Sequence, residues 1–490
     1  MNNVMSLNLL AAALVIITAP ALAAPVAIPD APPPGPAQPI SVPTLTTQTL
    51  DNGLRIVVAP RPGLPLVTAQ VLLLAGREAD PADKTGLAAM TTTLLARGAR
   101  RGDQAVDAAT LARQAEALGG TLDTATGWRS SMVGMTVTTP RLPAALALMA
   151  DVVRQPLLAA DELDRERARA LDGLRVALDS PGSVAGLAAA RAWWGDSVYG
   201  RTATPATLGR LTADELRAFH AAQWRPDRVV LVLAGDVDAR GARALAQQAF
   251  GDWARPASPP PVSQGSAAAP TLAPVLWVDM PGSGQSAVVV SAPAEPQGHA
   301  DEVVGDVAQT LLGGGYSARL NQVIRIERGL SYGAFGGSEA HPAGGRWNGQ
   351  AQTKHASAAE VAQLMRDAVA RLAREPAPAA ELAARQASLV GSFARRLETT
   401  AGLAGLVAGE VAAGRDPAAL KGRVDAVRAV TPEQVRDYAA RWWTPASLRV
   451  VVAGDWAAAG DGVKALGSAG EVRRLPKSAL DLDRADLGAR

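Results

Sequence analysis

The sequence predicts an α+β protein of two duplicated domains, each a largely antiparallel sheet with helices packed on one face. Three observations predict it. Residues 211–238, LTADELRAFHAAQWRPDRVVLVLAGDVD, match residues 430–457, VTPEQVRDYAARWWTPASLRVVVAGDWA, at a constant offset of 219. A gapless match over 28 positions marks a repeated unit. Between the copies lies ARPASPPPVSQGSAAAPTLAP (residues 254–274), whose proline and serine content is that of a domain linker, placed at 256–272. Within each half, strand-like runs are separated by pairs of helix-like runs, an order that lays helices over an antiparallel sheet.

Taken in order, the chain opens with LNLLAAALVIITAPALAAP, an apolar run of signal-peptide length ending in small residues suited to cleavage after Ala23. Residues 1–23 are therefore expected to be a signal peptide, and 24–44 a Pro-rich extended tether. The first 24 residues carry no Lys or Arg, so a retained anchor is the alternative, although Pro20 makes the run a poor membrane span. The first domain, 45–255, begins with NGLRIVVAP and LPLVTAQVLLLAG, two strand runs joined by a Pro/Gly turn. KTGLAAMTTTLLARGARR (84–101) follows as a helix running from Gly86 to Gly98, with Leu87, Leu94 and Leu95 available to one apolar side. Between Gly86 and Ala96 it holds no ionisable side chain. AVDAATLARQAEALGG is an amphipathic helix, TLDTATGWRSSMVGMTVTTP a strand pair, and RLPAALALMADVVRQP a helix stopped by Pro156. Each repeat copy then supplies a Thr-initiated helix, an aromatic helix end, a Pro, an apolar strand and Gly-Asp. The second domain is placed at 273–465 and a C-terminal tail at 466–490.

Hydrophobic content of 48% with 19% charged residues is that of a globular chain. The 48 basic residues, only five of them Lys, are balanced by 46 acidic ones with no basic stripe, which argues against a nucleic-acid partner. There is no Cys, which excludes disulfides, thiolate metal sites and a Cys nucleophile. The four His, at 220, 299, 341 and 355, include no pair at i, i+4, and each is read as a surface or hydrogen-bonded side chain. Trp224 and Trp443 occupy equivalent repeat positions, which points to core packing; the pair Trp193 and Trp194 fits either core or an interface.

Several segments together resemble the insulinase or pitrilysin family of metallopeptidases, inverzincins with an H-x-x-E-H zinc motif. They are LDNGLRIVVAP (50–60), GREADPADKTGLA (76–88), AGDVD (234–238) and, most specifically, LLGGGYSARLNQVIRIERGLSYGAF (311–335). The likeness spans roughly residues 45 to 465 and implies two domains facing each other across a substrate chamber. In the family, the helix after TGLA carries two zinc-binding His and a Glu that acts as general base. Aligned directly after Ala88, those positions hold Ala89, Thr92 and Thr93, of which none is a usual zinc ligand or a competent base. The family's third ligand, a Glu on a later helix, falls within ELDRERARALDGL (162–174) on Gly173, with Asp172 beside it. One carboxylate without imidazole partners does not hold a catalytic zinc.

In active members an Arg and a Tyr seven positions apart hydrogen-bond the substrate carbonyl and its developing oxyanion. Arg325 and Tyr332 have that spacing, and a guanidinium and a phenol suit that task in a water-poor cleft. Gly313, Gly314 and Gly315 are expected to permit close backbone approach and positive φ, as a substrate-contacting loop or as a plain turn. The resemblance thus implies a non-catalytic, substrate-binding subunit of a secreted or periplasmic heteromeric peptidase. This chain is expected to bind no cofactor, with zinc in a homologous partner subunit, a peptide or protein as substrate, and no stable membrane span after signal cleavage. A peptide-binding shell with no part in catalysis is the alternative, and an active zinc peptidase in its own right the least favoured reading.

Overall fold

The computed structural model of the chain describes residues 39–259, 273–467 and 472–488. The expected signal, the tether up to residue 38 and the linker over 260–272 lie outside the described residues. In the first half the strands are β1 (Thr46–Thr49), β2 (Arg55–Pro60), β3 (Leu66–Leu73), β4 (Gly98–Arg101), β5 (Gln104–Asp107), β6 (Asp123–Thr126), β7 (Ser131–Thr138) and β8 (Val229–Gly235). Its helices are α1 (Leu87–Leu95), α2 (Ala108–Ala117), α3 (Leu142–Arg154), α4 (Ala160–Asp179), α5 (Pro181–Trp194), α6 (Pro205–Gly209), α7 (Ala213–Gln223) and α8 (Ala239–Phe250). The second half contributes β9 (Val275–Asp279), β10 (Ser286–Ala294), β11 (Ala334–His341), β12 (Gly344–Thr353), β13 (Arg449–Gly454) and β14 (Val472–Pro476). With them go α9 (Glu302–Gly313), α10 (Arg319–Asn321, continued by a π turn over Gln322–Glu327), α11 (Ala358–Arg374), α12 (Ala379–Leu397), α13 (Thr400–Ala412), α14 (Arg423–Arg428), α15 (Pro432–Trp442) and α16 (Trp456–Ala459).

Each half builds a six-stranded sheet, in the orders β1-β2-β8-β3-β7-β6 and β11-β12-β10-β13-β9-β14. The repeat explains the likeness: α7–β8 in one and α15–β13 in the other put a largely apolar strand at the sheet centre. Both helices start at a Thr in a reciprocal capping box, Thr212 with Glu215 and Thr431 with Gln434, so two orphan N-terminal donors are satisfied at each start. The strand runs β2 and β3, adjacent in sequence, do not pair with each other. β8 inserts between them, parallel to β2 and antiparallel to β3. The remaining pairings of the first sheet are antiparallel, including the β6–β7 hairpin read from the sequence. Beyond position 465, β14 pairs in parallel with β9 and extends the second sheet, so part of the stretch expected as a tail is sheet edge.

One face of each sheet is covered by its own helices, α3 and α8 in the first half and α9, α11 and α15 in the second. The opposite faces are covered by exchange. α5 of the first half lies on β10 and β13, where Val184, Ala185 and Ala188 pack with Val289, Val451 and Ala453. α13 of the second half lies on β3 and β8, with Thr68 Oγ1 2.9 Å from Thr400 Oγ1. The repeat offset of 219 carries the start of α4 at Ala160 onto α12 at Ala379, and of α5 at Pro181 onto α13 at Thr400. The exchange is therefore a property of the duplication itself. Trp224 and Trp443 are both buried, as their equivalent positions suggested; Trp443 donates its indole N–H to Pro293 O at 3.0 Å. No helix among the described residues is long and apolar enough to cross a membrane.

Candidate functional site

The first-domain candidates lie on α1 and α4. Gly86, at φ 106°, starts α1 in a conformation that only glycine adopts without strain. The Asp80 carboxylate accepts from the Gly86 and Ala88 amides at 2.8 and 2.7 Å, capping the helix with a charge suited to its N-terminus. Burial raises the Asp80 pKa to about 6, against the pull of those two amides. The apolar residues of α1 do not share one side. Leu87 and Leu94 pack with Leu163 of α4 and Leu216 and Phe219 of α7, whereas Leu95 belongs to the main core under the first sheet.

Ala89 and Thr93, one turn apart, are the partly exposed positions of α1, while Thr92 is buried and donates its hydroxyl to Ala88 O at 2.8 Å. The hydroxyl that stands where a base would be is thus used within its own helix. On α4, Gly173 is exposed, and a Cβ built there meets nothing within 4 Å. Its neighbour Asp172 pairs with Arg175 at 3.1 Å on the solvent side. The buried acid of this helix, Glu166, is held by Arg97 at 2.8 Å and Arg169 at 2.6 Å, which ties the end of α1 to α4. Among the described residues no three His, Asp or Glu side chains are placed to share a metal. The donor set at Ala89, Thr92, Thr93 and Gly173 does not fit a zinc ion.

The four His have other partners. His220 Nε2 bonds Val153 O at 2.8 Å, His355 bridges Ser286 and Ser283 O, and His299 accepts from the Asp301 amide. His341 is stacked on Tyr199 at 3.8 Å, with Trp128 and Trp194 edge-on. Burial pushes its pKa down to about 4, so the ring is neutral at ordinary pH. This aromatic cluster joins the two halves and places Trp194 at their seam. Around it Tyr199 donates to Glu78 at 3.1 Å and Trp194 to Glu339 at 3.0 Å.

The second-domain candidates surround the start of β11. Gly313 ends α9 against that strand: a Cβ there would lie 2.4 Å from the Gly336 amide nitrogen, so close backbone approach is its role. The expected positive φ is absent at Gly313, Gly314 and Gly315; Gly314 sits at φ −80°, bonded back to Thr310 O. The helix itself closes the turn. Arg325 lies on the π turn. Its guanidinium lies 4.8 Å over the ring of Tyr316, the residue directly after the three glycines. Tyr316 O accepts from Asn321 Nδ2 at 2.5 Å, and Asn321 Oδ1 accepts from the Ala334 amide at 3.1 Å. Asn321, fully buried, therefore fixes the glycine turn to the first residue of β11. Tyr332 is 88% exposed and lines a cleft described below. Tyr316 and Asn321 escaped the sequence reading. The signal for Tyr316 was an aromatic beside a glycine run; Asn321, next to Gln322 and between Arg319 and Arg325, had none.

Comparison with known proteins fits this arrangement. The family model described as Insulinase (Peptidase family M16) matches residues 55–202, and the one described as Peptidase M16 inactive domain matches residues 210–389. A protein of Streptomyces coelicolor named as an uncharacterised zinc protease is 25% identical over 403 residues, 81% of this chain and 86% of its own length. One of Mycobacterium leprae, also named an uncharacterised zinc protease, is 28% identical over 355 residues, 71% of this chain and 78% of its own. Among solved structures, a peptidase M16 inactive domain from Pseudomonas fluorescens superposes with a TM-score of 0.78 at 22% identity, covering 84% of this chain and 98% of that one. A Helicobacter pylori protease gives a TM-score of 0.78 at 19% identity, covering 84% and 100%. The periplasmic protease PqqL of Escherichia coli gives 0.68 at 13%, covering 87% of this chain and 49% of that one. With two models of one family aligned in succession along the chain and the fold shared throughout, this protein belongs to the insulinase family of peptidases.

Proposed function

We propose that this chain is a non-catalytic, substrate-binding subunit of a secreted or periplasmic insulinase-like zinc peptidase, whose zinc and general base reside on a homologous partner subunit. The observation that carries the reading is an asymmetry. The first domain has no donor atoms at Ala89 and Gly173 and has Thr92 bonded into its own helix, yet Arg325 and Tyr332 of the second domain stay clear of the core. Two oriented donors outside a core suit a carbonyl oxygen that gains negative charge as a peptide bond is attacked. In this reading Tyr332 donates a hydrogen bond from its phenol to that oxygen, and Arg325 supplies the positive charge from the π turn. The chain itself holds no cofactor. The N-terminal apolar run of signal-peptide length supports an extracytoplasmic location.

The test is to purify the mature chain with and without a co-expressed homologue that keeps an intact H-x-x-E-H, and to follow cleavage of a fluorogenic peptide. Activity is expected only from the pair. Cleavage by this chain alone, at a rate the partner does not change, overturns the reading. A second reading, a peptide-binding shell with no part in catalysis, is favoured by the stacking of Arg325 on Tyr316, which turns the guanidinium to a neighbour. Arg325→Ala and Tyr332→Phe in the assembled pair separate the two: turnover falls under the first reading and is unmoved under the second.

A further inference from the structure

The inner face of the second sheet is not wholly covered by α5. Register places Phe335, Gln350 and Val289 in one row across β11, β12 and β10, with Gln352 and Ala287 in the row one pleat away, all on the face that α5 meets. Where α4 gives way to α5, the turn at Ser180, Gly182 and Ser183 stands opposite these rows without closing on them. A cleft of about 520 Å³ remains, and Tyr332 forms its lip. That volume lies within the range of small-ligand sites, about 300–1,000 Å³.

Its lining contains no Asp, Glu, Lys, Arg or His, in a chain where charged residues make up 19%. An ionised side chain entering it would lose hydration and find no counter-charge. The lining offers what a neutral peptide needs instead. Gln350 and Gln352 are exposed, and their carboxamides make no hydrogen bond within the described protein, leaving donors and acceptors for a main chain. Phe335, 43% exposed, and Tyr332 present two rings to a planar side chain. Gly182 sets the width: a Cβ there would come within 2.8 Å of Gln352 Nε2.

We propose that this cleft is a side-chain recognition site for an extended, uncharged peptide segment carrying an aromatic residue, next to the peptide bond that Tyr332 contacts. The assignment rests on the substrate-binding reading of this chain, and it makes the cleft the part of the molecule that selects among peptides. Aromatic residues are accepted and charged ones refused. Lengthening residue 182 narrows the cleft without disturbing the backbone, since its neighbour there is the mobile end of a glutamine.

The experiment measures binding by the mature chain alone, so its outcome is independent of any partner or of turnover. The probes are fluorophore-labelled, end-capped peptides Ala-Ser-Phe-Ala-Ser, with Phe replaced by Asp or by Lys in two controls. Fluorescence anisotropy is expected to rank Phe at least about tenfold above both, the scale of one buried apolar side chain. Gly182→Leu should abolish that preference with an unchanged melting temperature. Gln350→Glu should weaken the Asp peptide further and move the Lys peptide ahead of it. Equal affinity for the three peptides, absence of binding by any of them, or a Phe preference that survives Gly182→Leu in a folded protein each overturn the proposal. If the Phe preference stands while the partner assay shows no joint activity, it is the subunit reading that fails and not the cleft.

Discussion

The two halves share a sheet plan and, before the central strand, a capped helix that ends on a buried Trp, yet they diverge where chemistry would reside. In the first half the positions aligned with the metal ligands and base are Ala89, Thr92, Thr93 and Gly173, small and without charge. In the second, four of the seven exposed large hydrophobics among the described residues, Tyr316, Ile326, Tyr332 and Phe335, fall within one stretch of twenty residues around Arg325. The difference teaches that packing and chemistry separate cleanly after duplication. α1 keeps its Asp80 cap and its contacts with α4 and α7 because helix geometry requires them, independently of any metal.

The largest expected effect tests the shared plan. Trp443→Ala should lower stability by about 3–5 kcal/mol in urea denaturation, the cost of emptying a large aromatic site. Phe sharpens the comparison. Trp443→Phe should cost about 1 kcal/mol more than Trp224→Phe, since only the Trp443 indole has a hydrogen-bond partner. Equal costs would mean that the indole bond contributes nothing.

Next comes the divergent part. In the assembled pair, Arg325→Ala should reduce kcat about 10²–10³-fold, the usual loss for one donor to a developing oxyanion. Its melting curve should hardly move, since among the described residues the stack on Tyr316 is the one polar contact of the Arg325 side chain. Tyr316→Ala should affect turnover less, by releasing the guanidinium and not removing it. A Tyr316→Ala defect equal to that of Arg325→Ala would show that Arg325 acts only from its stacked position.

A smaller effect concerns the helix that has kept its packing. Asp80→Ala removes two amide caps and should destabilise the chain by about 1–2 kcal/mol. The pH dependence has a definite sign. Because burial raises the folded-state pKa to about 6 from the ordinary 3.8, the folded state binds the extra proton. The contribution of that group is complete below pH 3.8 and is lost as pH rises through about 6. Asp80→Asn should flatten the decline over that window, and an unchanged slope would assign it to other groups. The smallest effect is Gly173→Ala, expected to stabilise by about 0.5–1 kcal/mol, because an exposed glycine inside a helix wastes backbone entropy. A loss of stability there would contradict the open space around it.

What could be read from the sequence was local or repeated. The Thr-started helices at Thr212 and Thr431, the β6–β7 pair, the helix ending before Pro156 and the burial of Trp224 and Trp443 all followed from short-range chemistry or from the repeat. Long-range pairing could not be read. Nothing in NGLRIVVAP or LPLVTAQVLLLAG announces that a strand some 160 residues later separates them, since each run is apolar enough to accept any partner. Leu95 shows the same limit, as helical spacing gives its direction but not which core lies there. For the site, the spacing of Arg325 and Tyr332 could be read from the sequence, while the stack on Tyr316 depends on a π turn that has no sequence signature.

The exchanged helices bear on how the chain is made. The first sheet is complete once β8 has left the ribosome, but the helix that shields its inner face, α13, is synthesised only after most of the second domain. Until then an apolar sheet surface waits uncovered, a natural client for a holding chaperone. The same arrangement means that a chain divided at the linker yields two fragments, each lacking one helix and each carrying the other's. Such fragments are expected to be poorly soluble when expressed singly and to recover a folded state by association when expressed together.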